Sequence, residues 1–211
     1  HTREGKTYTG TILCTAAAKH VHEEASTLAR TLDTLEVRID EVVRTKEDVQ
    51  RLGIANGDII AIDPKTCVTD SGFIKSRFLD DKISVACLFA VLRHLHVHPL
   101  PLKKDVIVIF SSYEEVGHGA SFIPEHVEEM ISVDMGCIGL DLACTEYDVS
   151  ICAKDSSGPY DYTLTSTLIA LAKQEQLPYA VDIYPMYSSD VSAALRGGNN
   201  IRGALIGPGV H

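Results

Sequence analysis

The sequence predicts an α/β protein in two parts. Residues 1–66 form a small β domain, and residues 67–211 form a sheet with helices on both faces. Three observations predict this. Short strand-like runs separated by turn signals fill the first third of the chain. From Cys67 onward, helical and strand-like periodicities alternate, the pattern of helix and sheet layers. Residues 105–119, DVIVIFSSYEEVGHG, contain an apolar run over 106–110 rich in β-branched side chains, which reads as a central strand buried on both faces.

In the first part, residues 7–14 read as a strand with Gly10 as a bulge. Residues 16–29 are polar and irregular and read as a loop. Leu35, Val37 and Ile39 alternate with Glu36, Arg38 and Asp40, the period of a half-buried strand. Thr45 and Asp48 cap a short helix that Gly53 ends. Asn56-Gly57-Asp58 is a turn, and 59–62 is a further strand. Several short strands joined by turns predict a small barrel or sandwich.

In the second part, Leu79-Asp80-Asp81-Lys82 opens a helix, with Asp80 or Asp81 as acidic cap. Val85, Leu88, Leu92 and Leu95 follow at helical spacing, so this helix buries one face. After the run 106–110 come a short helix over 124–130 and a strand, Ile131-Ser132-Val133, that ends in Asp134. Then 147–152 reads as a strand, 160–176 as a helix, 179–184 as a strand, 189–195 as a helix and 204–206 as a last strand. The opening at His1, and the close at Gly207-Pro208-Gly209-Val210-His211 without a closing helix, suggest a piece of a longer protein.

Composition narrows the function classes. A hydrophobic fraction of 45% and a charged fraction of 23% over 211 residues are those of a globular protein. A net charge of −10 argues against a nucleic-acid partner, which needs a basic face. No apolar run approaches the roughly 18 residues that span a membrane. The six cysteines lie mostly inside apolar runs, form no Cys-x-x-Cys pair and read as free buried thiols in a reducing cytoplasm, with a disulfide set as the weaker alternative. His94, His96 and His98 lie two apart on a helix, where they point apart and cannot share a metal. His20 and His22 read as solvated loop residues. No phosphate-loop or Gly-x-Ser-x-Gly pattern is present.

The acids carry the chemistry. Asp80 stands at a loop-to-helix junction. Glu114 and Glu115 follow the apolar run, and Asp134 follows the next strand. Ligands in open α/β sheets bind beyond the carboxyl ends of strands. Packed carboxylates repel unless a cation or proton intervenes. A dinuclear metal site, with ions roughly 3.5–4 Å apart and an activated water, resolves that repulsion. Solvated loop acids and helix caps are the plainer reading of each residue alone.

Leu79-Asp80-Asp81-Lys82, Ser112-Tyr113-Glu114-Glu115-Val116-Gly117 and Ser132-Val133-Asp134 resemble, in order and spacing, the M42 family of dinuclear metallo-aminopeptidases. The resemblance covers nearly the whole chain. It implies an α/β/α sandwich of the zinc-peptidase type with an inserted small β-barrel domain. It implies that Asp80 bridges two divalent ions (zinc, cobalt or manganese), that Glu115 and Asp134 are ligands, and that Glu114 is the general base. It further implies short peptide substrates and a homo-oligomer, plausibly a dodecamer of dimers with the β domain making contacts. Ser188-Ser189-Asp190 falls where the family has a Gly-Thr-Asp-like segment, so Asp190 is expected to help shape the site. The family's two His ligands lie ahead of residue 1 and just past the last strand. His211 is close to the second position and reads as its neighbour. The alternatives are an M20-type deacylase or carboxypeptidase, against which the β character of residues 1–66 speaks, and a non-catalytic assembly module.

Overall fold

The computed structural model describes residues 1–139 and 141–211. The chain divides into two compact units, His1–Asp63 and Pro64–His211.

In the first unit, β1 (Gly10–Cys14) and β2 (Leu35–Ile39) form a two-stranded antiparallel ribbon, with Gly10 opposite Ile39 and Cys14 opposite Leu35. Gly10 is no bulge. It is a point of close approach, where a methyl group would meet the Arg38 carbonyl oxygen at 2.6 Å. Helix α1 (Lys46–Arg51) begins at a reciprocal cap. The Thr45 hydroxyl accepts from the Asp48 N–H, and the Asp48 carboxylate accepts from the Thr45 N–H. No closed barrel is seen among the described residues of this unit, which pair only these two strands. The predicted strand at 59–62 is not one among the described residues. Ile59 and Ile60 are 65% exposed, and Ile59 exchanges backbone hydrogen bonds with His1 alone.

The second unit opens with a two-residue ribbon of β3 (Cys67–Val68) and β4 (Ile74–Lys75), then α2 (Leu79–Val97). The remaining elements are β5 (Glu129–Val133), β6 (Gly136–Cys137), β7 (Val149–Asp155), β8 (Gly158–Pro159), α3 (Tyr162–Gln174), β9 (Tyr179–Ile183), α4 (Asp190–Arg196) and β10 (Arg202–Val210). The sheet is mixed. β10 is central, parallel to β5 and β6 on one side and antiparallel to β7 on the other. β7 pairs in turn with β8 and, in parallel, with β9. Asp161 caps α3, accepting from the Leu164 N–H at 2.7 Å. The core joins Cys152 and Leu205 of the sheet to Tyr160, Tyr184 and Val191, all buried.

Two expectations fail here. The run 106–110 is not the central strand. Val106 is 64% and Ile107 55% exposed, and no backbone hydrogen bond reaches the run among the described residues. It faces β5 across a cavity of about 840 Å³, whose walls also include Val85 and Leu88 of α2. The short helix expected over 124–130 is replaced by the start of β5, because Glu129 and Met130 pair with Arg202 and Gly203 of β10.

Candidate metal and catalytic centre

Asp134 follows the last residue of β5. It occupies the gap between β5 and β6, both of which run alongside β10. Its backbone is fixed there, because the Asp134 N–H donates to the Ile206 carbonyl at 2.9 Å. Its side chain is buried, and one carboxylate oxygen accepts from the Met135 N–H at 2.6 Å.

Asp80 and Asp81 sit in the first turn of α2 but do not share its geometry. Asp80 has φ −78° and ψ 105°, Asp81 has φ −120° and ψ 37°, and the peptide between them is cis. Regular helix therefore starts after them. This break turns two would-be cap residues toward the end of β5. Asp80, Asp81 and Asp134 each offer a carboxylate oxygen, and these atoms all lie within 4.8 Å of one another. Asp81 Oδ1 is buried without a hydrogen-bond partner. Such an atom is costly to bury unless something pairs with it. Three clustered carboxylates with one orphaned oxygen fit a hard divalent cation.

Glu114 and Glu115 lie on a single 3₁₀ turn, Glu114–Val116, which ends at Gly117 with φ 83°. Glu114 is half-buried and Glu115 is exposed. Burial, with Asp134, Asp190, Glu115 and Asp80 adding their negative charge, pushes Glu114 up to about 7. Burial likewise pushes Asp81 up to about 7 and Asp134 up to about 6, with neighbouring carboxylates contributing in both. Asp80 and Glu115, both exposed overall, still rise through partial desolvation of their carboxylates, and the charge of Asp80 adds to the rise of Glu115. Four separate backbone segments thus bring negative charge to one place. The structure brings Asp80 and Asp134 together. It sets Glu114 and Glu115 on the facing turn, outside the 4.8 Å group. His211 follows β10 and is exposed.

A family model described as M42 glutamyl aminopeptidase matches residues 1–211. The chain belongs to that family. The Bacillus subtilis (strain 168) protein named "Putative aminopeptidase YhfE" is 45% identical over 210 residues. The match takes in 99% of this chain and 61% of that protein, so the chain spans less than two thirds of the relative's length. Two solved structures share the fold. The Pyrococcus horikoshii TET1 peptidase, described as assembling into a tetrahedron or a large octahedral shell, aligns with a TM-score of 0.70 at 21% identity. That alignment covers 87% of this chain and 56% of the other. The TET aminopeptidase of the marine sediment archaeon Thaumarchaeota archaeon SCGC AB-539-E09 aligns with a TM-score of 0.70 at 18% identity, covering 95% and 58%.

Sequence reasoning missed Asp81 as a member of the acidic group. The adjacent Asp80-Asp81 pair was the available signal. Read as a helix start, it explains one carboxylate as a cap and leaves the other without a role. Tyr187 was missed as well. It is half-buried, its hydroxyl donates to the Met135 carbonyl at 3.3 Å, and burial, with the charge of Asp134 beside it, holds its proton on.

The cysteines form no disulfide among the described residues. Cys144 and Cys152 are buried, while Cys67 and Cys87 are exposed, so burial is not common to all six. The His94 and His98 rings lie 4.8 Å apart at the end of α2, and His22 lies 3.7 Å from Glu24 on the exposed surface.

Proposed function

We propose that this chain carries the carboxylate side of the catalytic centre of a metal-dependent aminopeptidase that hydrolyses the N-terminal peptide bond of short peptides. The observation that carries the reading is the meeting of Asp80, Asp81 and Asp134 within 4.8 Å, with Glu114 nearby pushed up to about 7 by burial and by the charges of Asp134, Asp190, Glu115 and Asp80. Asp80, Asp134 and Glu115 would hold two divalent ions (zinc, cobalt or manganese), with Asp80 shared, and Asp81 adds its orphaned oxygen to the set. Bound there, such ions supply Lewis-acid activation of water and of the scissile carbonyl. Glu114 takes a proton from the attacking water and returns it to the leaving amine. A group poised near neutrality does both well. The apolar cavity wall beside these acids, with Val85, Leu88 and Ile109, offers room for a substrate side chain.

The tetrahedral or octahedral assembly named for the Pyrococcus horikoshii structure supports a homo-oligomer; a dodecamer of dimers, with the β domain of residues 1–66 making subunit contacts, is the form this reading takes. The free thiols support a cytoplasmic setting. No helix among the described residues is long and apolar enough to cross a membrane.

The test is metal content of the full-length protein by elemental analysis, with hydrolysis of aminoacyl-p-nitroanilides measured before and after chelation. Bound divalent metal, with activity lost to chelator and restored by zinc, cobalt or manganese, supports the reading. A complete chain that binds no metal and cleaves no substrate moves it to the assembly-module alternative.

A further inference from the structure

The loop 111–120 carries both Glu114 and Glu115. Its backbone-to-backbone hydrogen bonds are local: Gly117 N–H to the Glu114 carbonyl, His118 N–H to the Tyr113 carbonyl and, one residue past the loop, Ser121 N–H to the His118 carbonyl. Its two ends meet on one side chain. The Ser111 hydroxyl donates to Asp190 Oδ2 at 2.6 Å, and the Ala120 N–H donates to Asp190 Oδ1 at 3.0 Å. Both carboxylate oxygens are used, one for each end of the loop. The junction is filled. A methyl group at Gly119 would lie 2.6 Å from Asp190 Oδ1, 2.7 Å from Ser111 Oγ and 2.8 Å from the Glu114 nitrogen. Real side chains do not tolerate such contacts without displacing one of the three groups.

Asp190 is itself anchored. It opens α4, in which Val191, Ser192, Ala193 and Ala194 are buried. The preceding Ser189 exchanges a hydrogen bond with the Tyr160 hydroxyl at 2.8 Å. Tyr160 and Ser192 both donate to Asp155, at 2.8 and 2.6 Å, and Asp155 is 1% exposed. Asp155 also accepts from the Ser157 and Gly158 N–H groups. A fully satisfied buried network of this kind is rigid. It ties the first turn of α4 to the end of β7, and through Asp190 it reaches the loop.

We propose that Asp190 is a positioning residue, a two-point clamp that closes the loop 111–120 on the sheet and holds Glu114 and Glu115 facing Asp80, Asp81 and Asp134. Its catalytic consequence rests on the aminopeptidase reading above, whereas the clamp itself does not. Misplacing a reacting group by about 1 Å can lower a rate by roughly 100-fold. Asp190→Ala removes both tethers. Asp190→Asn keeps one acceptor for the Ala120 N–H, and its amide can donate to Ser111 Oγ, so the geometry survives without the charge.

The experiment uses the full-length protein. Amide hydrogen exchange is measured on the metal-free form, and kcat and KM are measured on the metal-loaded form. Asp190→Ala should lose protection at the Ala120 amide and across 111–120 while the core strands β7 and β10 stay protected. Its kcat should fall roughly 10- to 100-fold with little change in KM. Asp190→Asn should restore protection and bring kcat to within a few-fold of the unmodified protein. Gly119→Ala should reproduce the Asp190→Ala pattern with Asp190 intact. If Asp190→Ala does not fold, Ser111→Ala removes one tether alone, and partial loss of protection confined to the loop is then expected. A protected loop and unchanged kcat in Asp190→Ala, or in Ser111→Ala where that variant stands in, overturn the proposal. So does an Asp190→Asn variant as impaired as Asp190→Ala. If the unmodified protein cleaves no peptide, the aminopeptidase reading fails, and the exchange measurements still decide the clamp.

Discussion

Gly207 lies against the backbone of Asp134 so closely that a methyl group there would sit 1.5 Å from the Asp134 carbonyl oxygen. The neighbouring Ile206 carbonyl accepts the Asp134 N–H at 2.9 Å. The central strand thus holds the acid at the end of β5 by its main chain, and only glycine leaves room. Gly207→Ala must therefore push β10 away from Asp134. Overpacking a filled site costs roughly 1–3 kcal/mol or more. The expected result is a lower melting temperature together with loss of bound divalent metal. A variant that melts and binds metal like the unmodified protein would show that the two strands separate freely at this point.

Glu114→Gln keeps the size and neutralises the base. Metal content should be unchanged, because Glu114 lies outside the group formed by Asp80, Asp81 and Asp134. The rate of peptide hydrolysis should fall by about 100-fold or more, the range that a positioned proton-transfer group contributes. Steady-state kinetics beside elemental analysis check both halves. Near-normal activity would remove Glu114 from the base role.

The metal-free protein should lose stability as pH rises. Asp81 and Glu114 titrate near 7 and Asp134 near 6 in the fold, against ordinary values of 3.8 and 4.5. Folded-state values above unfolded ones mean that the folded state binds more protons between about pH 4 and pH 7. Stability then falls with rising pH across that window and levels off above it. Divalent metal should reverse the trend, because it favours the ionised carboxylates that protons oppose. Denaturant melts at pH 5 and pH 7.5, with chelator and with zinc, measure this. Equal stability at the two pH values in chelator would contradict it.

The α/β alternation and the family were legible because they rest on local signals. Asp161 before an apolar-periodic run marks α3, and Thr45 with Asp48 marks α1. The acidic motifs around Asp80, Glu114 and Asp134 carry the family. Less legible were features that only tertiary contact explains. β10 runs through Gly203, Gly207, Pro208 and Gly209, residues that locally argue against a strand. A methyl group at Gly203 would meet Val191 Cγ1 at 2.2 Å, so that glycine answers to α4. The opposite error occurs at 106–110 and at 59–62. There the apolar composition argues for buried strands, yet the side chains are largely exposed and the backbone is unpaired or nearly so. In the site, spacing places acids after strands, but it cannot show that non-helical dihedrals at Asp80 and Asp81 point both toward Asp134.

Asp80 and Asp81 are adjacent, and separate substitutions distinguish what each does. If Asp80 is shared between two ions, Asp80→Ala removes an oxygen from each, and both should be lost together. Asp81→Ala removes the orphaned Oδ1. One ion should then be weakened while Asp80 still serves the other. In the metal-free state, each substitution also relieves repulsion among carboxylates, so neither should lower stability at pH 7.5 in chelator. Elemental analysis of the two purified variants, with melts in chelator as control, separates the roles. Two ions retained in Asp80→Ala would place the shared ligand elsewhere, and Asp81, the half-buried donor beside Asp134, would be the residue to substitute next.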